Sequence, residues 1–251
     1  MSPFILTAIA LVIAPFIGSF LSVLVVRLPL EEDFIWGRSR CRSCSKPLGP
    51  AELVPLVSWV VQDGKCTSCG AAIGALYPGM ELGATMVALW AVMTVTPEVL
   101  IVTVCLGWAL LALAVMDARF FYLSDLLTLP LIPAGLAVNW WLAPDDVINH
   151  VVGTSAAFLL MGSLAWAYRR IRGRDGLGFG DVKFMAAAGA WLGVAALGSV
   201  LLLAVCVSVL LLLAGRLSGQ RIDGTTPVPF GTGIAAGLWL TWLYGPISFT
   251  V

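Results

Sequence analysis

Three aspartates in a very apolar chain have positions that could support acid–base chemistry: Asp117, Asp125 and Asp181. Asp117 closes the apolar run "VTVCLGWALLALAVMD", and Asp181 follows two glycines in "GLGFGDVKFMAAAGAW". A carboxylate at a membrane helix costs free energy, so it commonly marks a functional site. Two neighbouring carboxylates share a proton, because both cannot ionise easily. Such a pair can hydrolyse an amide without a metal, since one member takes a proton from water and the other donates to the carbonyl.

Each aspartate also has a simpler explanation, as a solvated helix end. Asp125 could equally cap the helix that follows it, because Asp is favoured there. The simple explanation is weaker for Asp181. Gly178 and Gly180 permit backbone conformations that other residues resist, and they leave room for another chain to approach. The helix that begins after them favours an ionised carboxylate at its positive end.

Four cysteines form two C-x-x-C pairs in a polar segment: Cys41 with Cys44, and Cys66 with Cys69. Two such pairs can hold one Zn²⁺ tetrahedrally. A redox motif or two disulfides would use the same residues, although a reducing cytoplasm disfavours stable disulfides. We expect a structural zinc site, because no open ligand position with a nearby base is evident.

The elements that carry these residues are predicted to be membrane helices. The chain has 251 residues, of which 60% are hydrophobic and 11% charged, and its mean hydropathy is +0.98. These values predict an all-α, polytopic helical membrane protein. About eight transmembrane helices are expected, near residues 4–25, 82–97, 99–117, 126–142, 150–168, 183–195, 197–215 and 231–249.

The distribution of charge predicts the orientation of the chain. With eight helices, every Lys and Arg falls in or beside loops on one side, at 26–81, 118–125, 169–182 and 216–230. The positive-inside rule assigns these loops to the cytoplasm and both termini to the opposite side. Topology explains the dispersed basic residues, so nucleic-acid binding is not expected. We predict a first helix at 1–25, a cysteine loop domain at 26–81 and a membrane catalytic domain at 82–251.

Five segments together resemble the bacterial type IV prepilin peptidases, which are GxGD-type membrane aspartic proteases. The resemblance runs nearly end to end and in family order. Its segments are "GSFLSVLVVRLP", the cysteine segments "SRCRSC" and "GKCTSCGAAIGALYPGMEL", "MDARFFYLSDLLTLPL", "GLGFGDVKFMAAAGAWLG" and "GTTPVPFGTGIAAG". Two departures are small: Ser124 stands where the family usually has Pro, and Lys65 stands where Arg is commoner.

The resemblance implies two reactions at the inner membrane of a bacterium. One is cleavage of the basic leader of prepilins and type II secretion pseudopilins after a Gly, at the cytoplasmic face. The other is N-methylation of the new terminal residue with S-adenosylmethionine; the complete cysteine loop favours this bifunctional form. Carried over residue by residue, Asp117 and Asp181 would be catalytic, with Gly178, Gly180, Asp125 and Lys183 in substrate-approach or supporting roles.

Two other classes of protein share some of these features. Paired carboxylates also relay protons or Na⁺ in transporters, although transporter sites usually lie near the midplane of the membrane rather than at one face. A zinc-stabilised membrane scaffold without catalysis is the second alternative. A cleavage assay with a purified prepilin distinguishes a peptidase from a transporter and from a scaffold.

Overall fold

The computed structural model describes residues 2–34, 36–174, 176–219 and 226–247, and these residues are almost entirely helical. Nine α-helices follow one another along the described chain. They are α1 Pro3–Arg27, α2 Val57–Val61, α3 Leu76–Thr94, α4 Pro97–Phe120, α5 Asp125–Leu142, α6 Val147–Arg172, α7 Phe179–Leu192, α8 Leu197–Leu217 and α9 Phe230–Tyr244. The prediction of an all-α membrane protein is confirmed.

Each of the eight predicted membrane segments contains a helix, but two of these helices are short, and residues 248 and 249 of the last predicted segment lie outside the described residues. Among the described residues, six helices are long and apolar enough to cross a membrane: α1, α3, α4, α5, α6 and α8. Helices α7 and α9 have 14 and 15 residues, which corresponds to about 21–23 Å of helix against a hydrocarbon core of about 30 Å. The protein is therefore a multi-pass membrane protein, and the crossing of the bilayer by α7 and α9 stays a prediction.

The chain divides into two compact units, Met1–Ala112 and Leu113–Val251. In the first unit, α1 packs on α3 through small residues. A Cβ on Gly18 would lie 2.5 Å from the backbone of Met80 and Glu81, and Ala84, Ala88 and Ala91 of α3 are buried. Small residues let helix backbones approach closely in membranes, where lipid provides no hydrophobic driving force. Helix α3 begins at Leu76, earlier than the sequence predicted, so the cysteine loop is shorter.

In the second unit, α7 is the most buried element, with every residue from 184 to 191 buried. It packs against α5, α6 and α9. The backbones of α6 and α7 come close at their glycines, since a Cβ on Gly153 would lie 2.7 Å from Gly193. Asp181 lies in the first turn of this buried helix, so the surrounding helices determine its position.

Candidate functional site

Asp117 lies near the end of α4 and is 5% exposed. Its oxygen Oδ2 accepts two hydrogen bonds from Thr232, one from the backbone N–H at 2.7 Å and one from the hydroxyl at 3.1 Å. The hydroxyl also lies 2.9 Å from the carbonyl oxygen of Ala114, and its single proton can serve one acceptor at a time. Thr232 belongs to the first turn of α9, so the positive end of that helix faces the Asp117 carboxylate.

Asp181 lies in the first turn of α7 and is partly buried. Its backbone N–H donates to the carbonyl of Gly178 at 3.1 Å. The segments that carry Asp181 and Asp117 are neighbours through Leu123, which packs on Gly180 and on Gly231. Asp117 lies in the last turn of α4 and Asp181 in the first turn of α7, and both residues belong to the second unit.

One leucine links the segments around the two aspartates. A Cβ on Gly180 would lie 3.0 Å from Cβ of Leu123, and a Cβ on Gly231 would lie 2.9 Å from Cδ1 of the same residue. The added Cβ at Gly231 would also come within 3.0 Å of Cγ of Asp117. The two glycines therefore allow Leu123 to pack between the start of α7 and the start of α9.

The prediction that Gly178 and Gly180 adopt backbone conformations that other residues resist is wrong. Gly178 has φ −68° and ψ 143°, which any residue adopts, and Gly180 also lies outside the left-handed region. What the structure shows is a shortage of space. A Cβ on Gly178 would lie 3.2 Å from Oδ2 of Asp181, and Gly180 faces Leu123.

Asp125 forms an ion pair with Lys183. Asp125 is the first residue of α5, and Lys183 lies on α7 two residues after Asp181, so the pair joins these helices. The ammonium group of Lys183 also lies 5.2 Å from the centre of the Phe179 ring. Asp125 is not the cap of α5, because the Ser124 hydroxyl accepts from the N–H of Leu126 at 3.3 Å.

Polar side chains hold the opposite end of α7. The buried Asn139 amide donates to the carbonyls of Ala190 and Trp191 at 3.2 and 3.1 Å, and Nδ1 of His150 lies 3.1 Å from the carbonyl of Ala190. The last carbonyls of a helix lack intrahelical partners, and these side chains satisfy them. Ala190 lies nine residues after Asp181, about 13 Å along the helix, so His150 contacts the end of α7 opposite to the one that carries the carboxylate.

The four cysteines of the loop form one cluster, with ligand atoms all within 4.8 Å of one another. Sγ of Cys41 lies 3.8 Å from Sγ of Cys69, and Sγ of Cys44 lies 4.0 Å from Sγ of Cys66. Tetrahedral zinc with Zn–S bonds of 2.3 Å requires sulfur atoms about 3.8 Å apart. All four are free thiols, at separations too long for a disulfide bond. The donor set therefore fits a tetrahedral metal ion.

The electrostatic surroundings of the cluster suit metal binding. Hydrogen bonds from the backbone N–H groups of Cys44 and Ser43 lower the pKa of the Cys41 thiol to about 6. Backbone N–H groups of Cys69 and Ser68 likewise lower the pKa of Cys66. The thiolate is the metal-binding form of cysteine, so these groups favour metal binding at Cys41 and Cys66. In the metal-free cluster the backbone N–H of Lys46 lowers the pKa of Cys44, but the neighbouring Cys69 thiol and desolvation raise it to about 11.

Glu52 joins the two cysteine knuckles. Its carboxylate accepts from the hydroxyl of Thr67 at 2.5 Å, from the N–H of Gly49 at 2.8 Å and from the Lys46 ammonium at 3.2 Å. Together these donors lower the pKa of Glu52 to about 2. Lys46 follows the first cysteine pair and Thr67 lies within the second, so one side chain connects both.

Comparison with known sequences gives two matches along the chain. Residues 12–95 match the bacterial peptidase A24 N-terminal domain, and residues 104–214 match the type IV leader peptidase family. A prepilin leader peptidase/N-methyltransferase of Aeromonas salmonicida (strain A449) is 33% identical over 97% of this chain and 92% of its own length. This chain belongs to the type IV leader peptidase family.

Other members of this leader peptidase family extend the likeness across species. A prepilin leader peptidase/N-methyltransferase of Burkholderia pseudomallei (strain 1026b) is 34% identical over 95% of this chain and 85% of its own length. Another occurs in Pseudomonas aeruginosa, at 31% identity over 91% of this chain and 87% of the relative. No solved structure matches this chain.

The two family matches separate the candidate metal ligands from the candidate catalytic residues. The four cysteines lie within residues 12–95, and Asp117, Asp125 and Asp181 lie within 104–214. Thr232 lies beyond both matches. The segment "GTTPVPFGTGIAAG" carries part of the resemblance, but nothing in the sequence pointed to a role for Thr232. Nothing pointed to Leu123 either, because the glycines it packs on, Gly180 and Gly231, are distant in sequence. Glu52 could have been noticed from its local capping position three residues after Gly49.

Proposed function

We propose that this chain removes the leader peptide of type IV prepilins and type II secretion pseudopilins after a Gly, and then N-methylates the new terminal residue. The names of its relatives support both reactions. The observation that carries the peptidase proposal is the packing of Leu123 between Gly180, which precedes Asp181, and Gly231, where an added Cβ would lie 3.0 Å from Cγ of Asp117. Aspartic proteases use two neighbouring carboxylates that share a proton, and carboxylates at the ends of membrane helices commonly mark functional sites.

In the proposed mechanism, the two carboxylates hold one proton between them. The ionised member takes a proton from a water molecule, and the resulting nucleophile adds to the scissile carbonyl carbon. The protonated member donates to the carbonyl oxygen. The first member then gives the proton it took from water to the amide nitrogen as the C–N bond breaks, and the second member takes a proton back from a hydroxyl of the adduct, so that the amine and the acid leave and the shared proton is restored. Thr232 supports this cycle by fixing Oδ2 of Asp117 as a hydrogen-bond acceptor, so proton exchange on Asp117 takes place at Oδ1.

Gly178 has a natural role in admitting the substrate. Any side chain at this position would begin 3.2 Å from Oδ2 of Asp181, so glycine keeps that oxygen accessible to a peptide backbone. Gly180 would assist indirectly, because it allows Leu123 to pack against the start of α7. Asp125 and Lys183 would act as supporting residues that hold α5 to α7.

Cys41, Cys44, Cys66 and Cys69 would hold one structural Zn²⁺. The metal would supply folding energy to a polar loop that is too short for a core of its own. The methyl donor would be S-adenosylmethionine, as the methyltransferase names of the relatives imply.

The peptidase would act in the bacterial inner membrane, with its aspartates at the cytoplasmic face. The one-sided distribution of Lys and Arg supports this orientation. A membrane-impermeant probe applied outside the cell should modify a reactive residue introduced at Asp146 and miss one at Arg172. If only the residue introduced at position 172 were labelled, the membrane orientation would be opposite to the proposed one, and cleavage at the cytoplasmic face would be contradicted.

Mass spectrometry of a purified prepilin incubated with the protein and S-adenosylmethionine tests the proposed function. We expect loss of the leader together with the gain of one methyl group on the new terminal amine. An Asp117→Asn variant, purified in parallel, controls for contaminating proteases. An intact prepilin after incubation with the wild-type protein would contradict the proposal.

A further inference from the structure

The short helix α2 presents an apolar face outward from the cysteine loop. Val57, Val60 and Val61 occupy positions i, i+3 and i+4, which lie on one face of a helix. Their exposed fractions are 58%, 66% and 77%. Leu53 and Val54, just before the helix, are also exposed. A polar loop surrounded by water does not ordinarily display such a group of branched apolar side chains.

The face of α2 that points into the cysteine loop is occupied by Trp59, so rotation of the helix cannot bury the valines. The Trp59 ring packs on Gly64, where an added Cβ would lie 2.9 Å from it. The indole N–H of Trp59 donates to the carbonyl of Ile73 at 3.4 Å. The orientation of α2 is therefore set by Trp59, and the valine face is left for an external partner.

A buried carboxylate holds the start of α2 against a membrane helix. Glu81 of α3 is 6% exposed and accepts a hydrogen bond from the N–H of Leu56 at 2.7 Å. Leu56 adopts φ +59°, an uncommon conformation for a branched residue. Glu81 lies five residues into α3, or about 7.5 Å along its axis. Helix α2 thus begins beside the first turns of a membrane-spanning helix rather than above its end.

A second apolar side chain of the loop is held near the end of α1. The guanidinium of Arg27, the last residue of α1, donates to the carbonyls of Asp33 and Gly37 at 2.6 and 3.1 Å. Trp36, within the segment that Arg27 binds, is 86% exposed. Tryptophan is enriched where a membrane meets water.

We propose that the lipid bilayer is the partner of this surface, and that the cysteine loop lies on the membrane with the α2 valines and Trp36 in the lipid interface. The loop is joined at both ends to membrane-spanning helices. Arg27 holds the segment of Trp36 beside α1, and Glu81 holds the start of α2 beside α3. This inference does not depend on the proposed peptidase activity.

Depth-dependent fluorescence quenching of the full-length protein in liposomes tests this proposal. An environment-sensitive fluorescent amino acid is introduced genetically at Val60, at Val61, or at the control position Ser43. Ser43 is exposed at the first cysteine knuckle, and its described contact uses only the backbone N–H. The liposomes carry nitroxide lipids labelled either near the headgroup or deep in the acyl chain.

We expect quenching at residues 60 and 61 to exceed that at residue 43 several-fold, and the shallow nitroxide to quench more strongly than the deep one. An interfacial helix lies roughly 5–10 Å into the headgroup and acyl boundary. Equal quenching at residues 43 and 60 would overturn the proposal. Quenching only by a nitroxide placed on an added prepilin would assign the surface to the substrate instead. Circular dichroism of each variant verifies that the helices are retained.

Discussion

The backbone N–H of Thr232 donates to one oxygen of Asp117, and the Thr232 hydroxyl lies 3.1 Å from the same oxygen, although the two residues are 115 positions apart. The contact joins the end of α4 to the first turn of α9. It fixes which oxygen of Asp117 is an acceptor, and it aims the positive end of α9 at a carboxylate of the proposed dyad. The C-terminal helix is therefore part of the environment of the candidate active site.

Replacing either proposed catalytic aspartate by asparagine should abolish cleavage. Asp117→Asn and Asp181→Asn keep the shape of the side chain but cannot exchange the proton. The double variant should be hardly worse than either single variant, because residues that act as a unit are strongly non-additive. Prepilin cleavage at equal expression is the measurement. Methylation of a pre-cleaved pilin should survive, and its loss in both variants would indicate a folding defect instead.

The Thr232 hydroxyl should matter for turnover rather than for substrate binding. Thr232→Val keeps the shape and the backbone N–H but removes the hydroxyl. A hydrogen bond to a charged group contributes about 1.5–3 kcal/mol, so we expect kcat to fall roughly tenfold or more with KM little changed. Thr232→Ser restores the hydroxyl and should restore most of the rate. Equal losses in the Val and Ser variants would show that Thr232 serves only packing.

The ion pair between Asp125 and Lys183 should contribute modestly. The side chain of Asp125 is 59% exposed and that of Lys183 is 15% exposed. Fully exposed ion pairs contribute about 0–1 kcal/mol, and Asp125→Asn should cost more than Lys183→Met because it leaves a mostly buried ammonium group unpaired. Asp125→Asn and Lys183→Met should each lower the thermal midpoint slightly and leave most of the cleavage activity. The double variant isolates the coupling between the two residues. If Asp125→Asn is inactive while Asp117→Asn cleaves normally, Asp125 is the partner of Asp181.

Elemental analysis of the purified protein should find one zinc per chain. Replacing any one of Cys41, Cys44, Cys66 and Cys69 with Ser should lower the zinc content and loosen the loop, because a tetrahedral structural site needs all four ligands. Cys105→Ser and Cys206→Ser provide matched controls that remove a thiol outside the cluster and should retain the metal. Zinc-free protein with all four loop thiols reactive would refute the assignment.

Glu52→Gln should accelerate metal release from the loop in a pH-dependent way. The pKa of Glu52 is lowered from 4.5 to about 2, so its stabilising contribution is fully present above pH 4.5 and is lost as the pH falls through about 2. Release of zinc to a chelator should therefore be faster in the variant at neutral pH. The difference from wild type should narrow progressively below pH 4.5. A pH-independent difference would show that the carboxylate charge is not what joins the knuckles.

Much of this protein was predictable because the relevant information is local. Runs of apolar residues predicted every described α-helix except α2, since a helix in lipid must satisfy its own backbone hydrogen bonds, although α3 begins six residues before its predicted start. The spacing of the C-x-x-C pairs predicted the thiol cluster, because each pair forms a knuckle within a few residues. Asp117 and Asp181 stood out because isolated carboxylates are rare beside such apolar segments.

The rest was decided by contacts between residues that are distant in sequence. No local pattern indicates that Thr232 bonds to Asp117, that Asp125 pairs with Lys183 rather than capping α5, or that Glu81 holds the start of α2. Composition and periodicity determine which segments become helices and which faces are apolar. The partner of each polar side chain depends on which helix surfaces meet, and only the packed tertiary structure settles that.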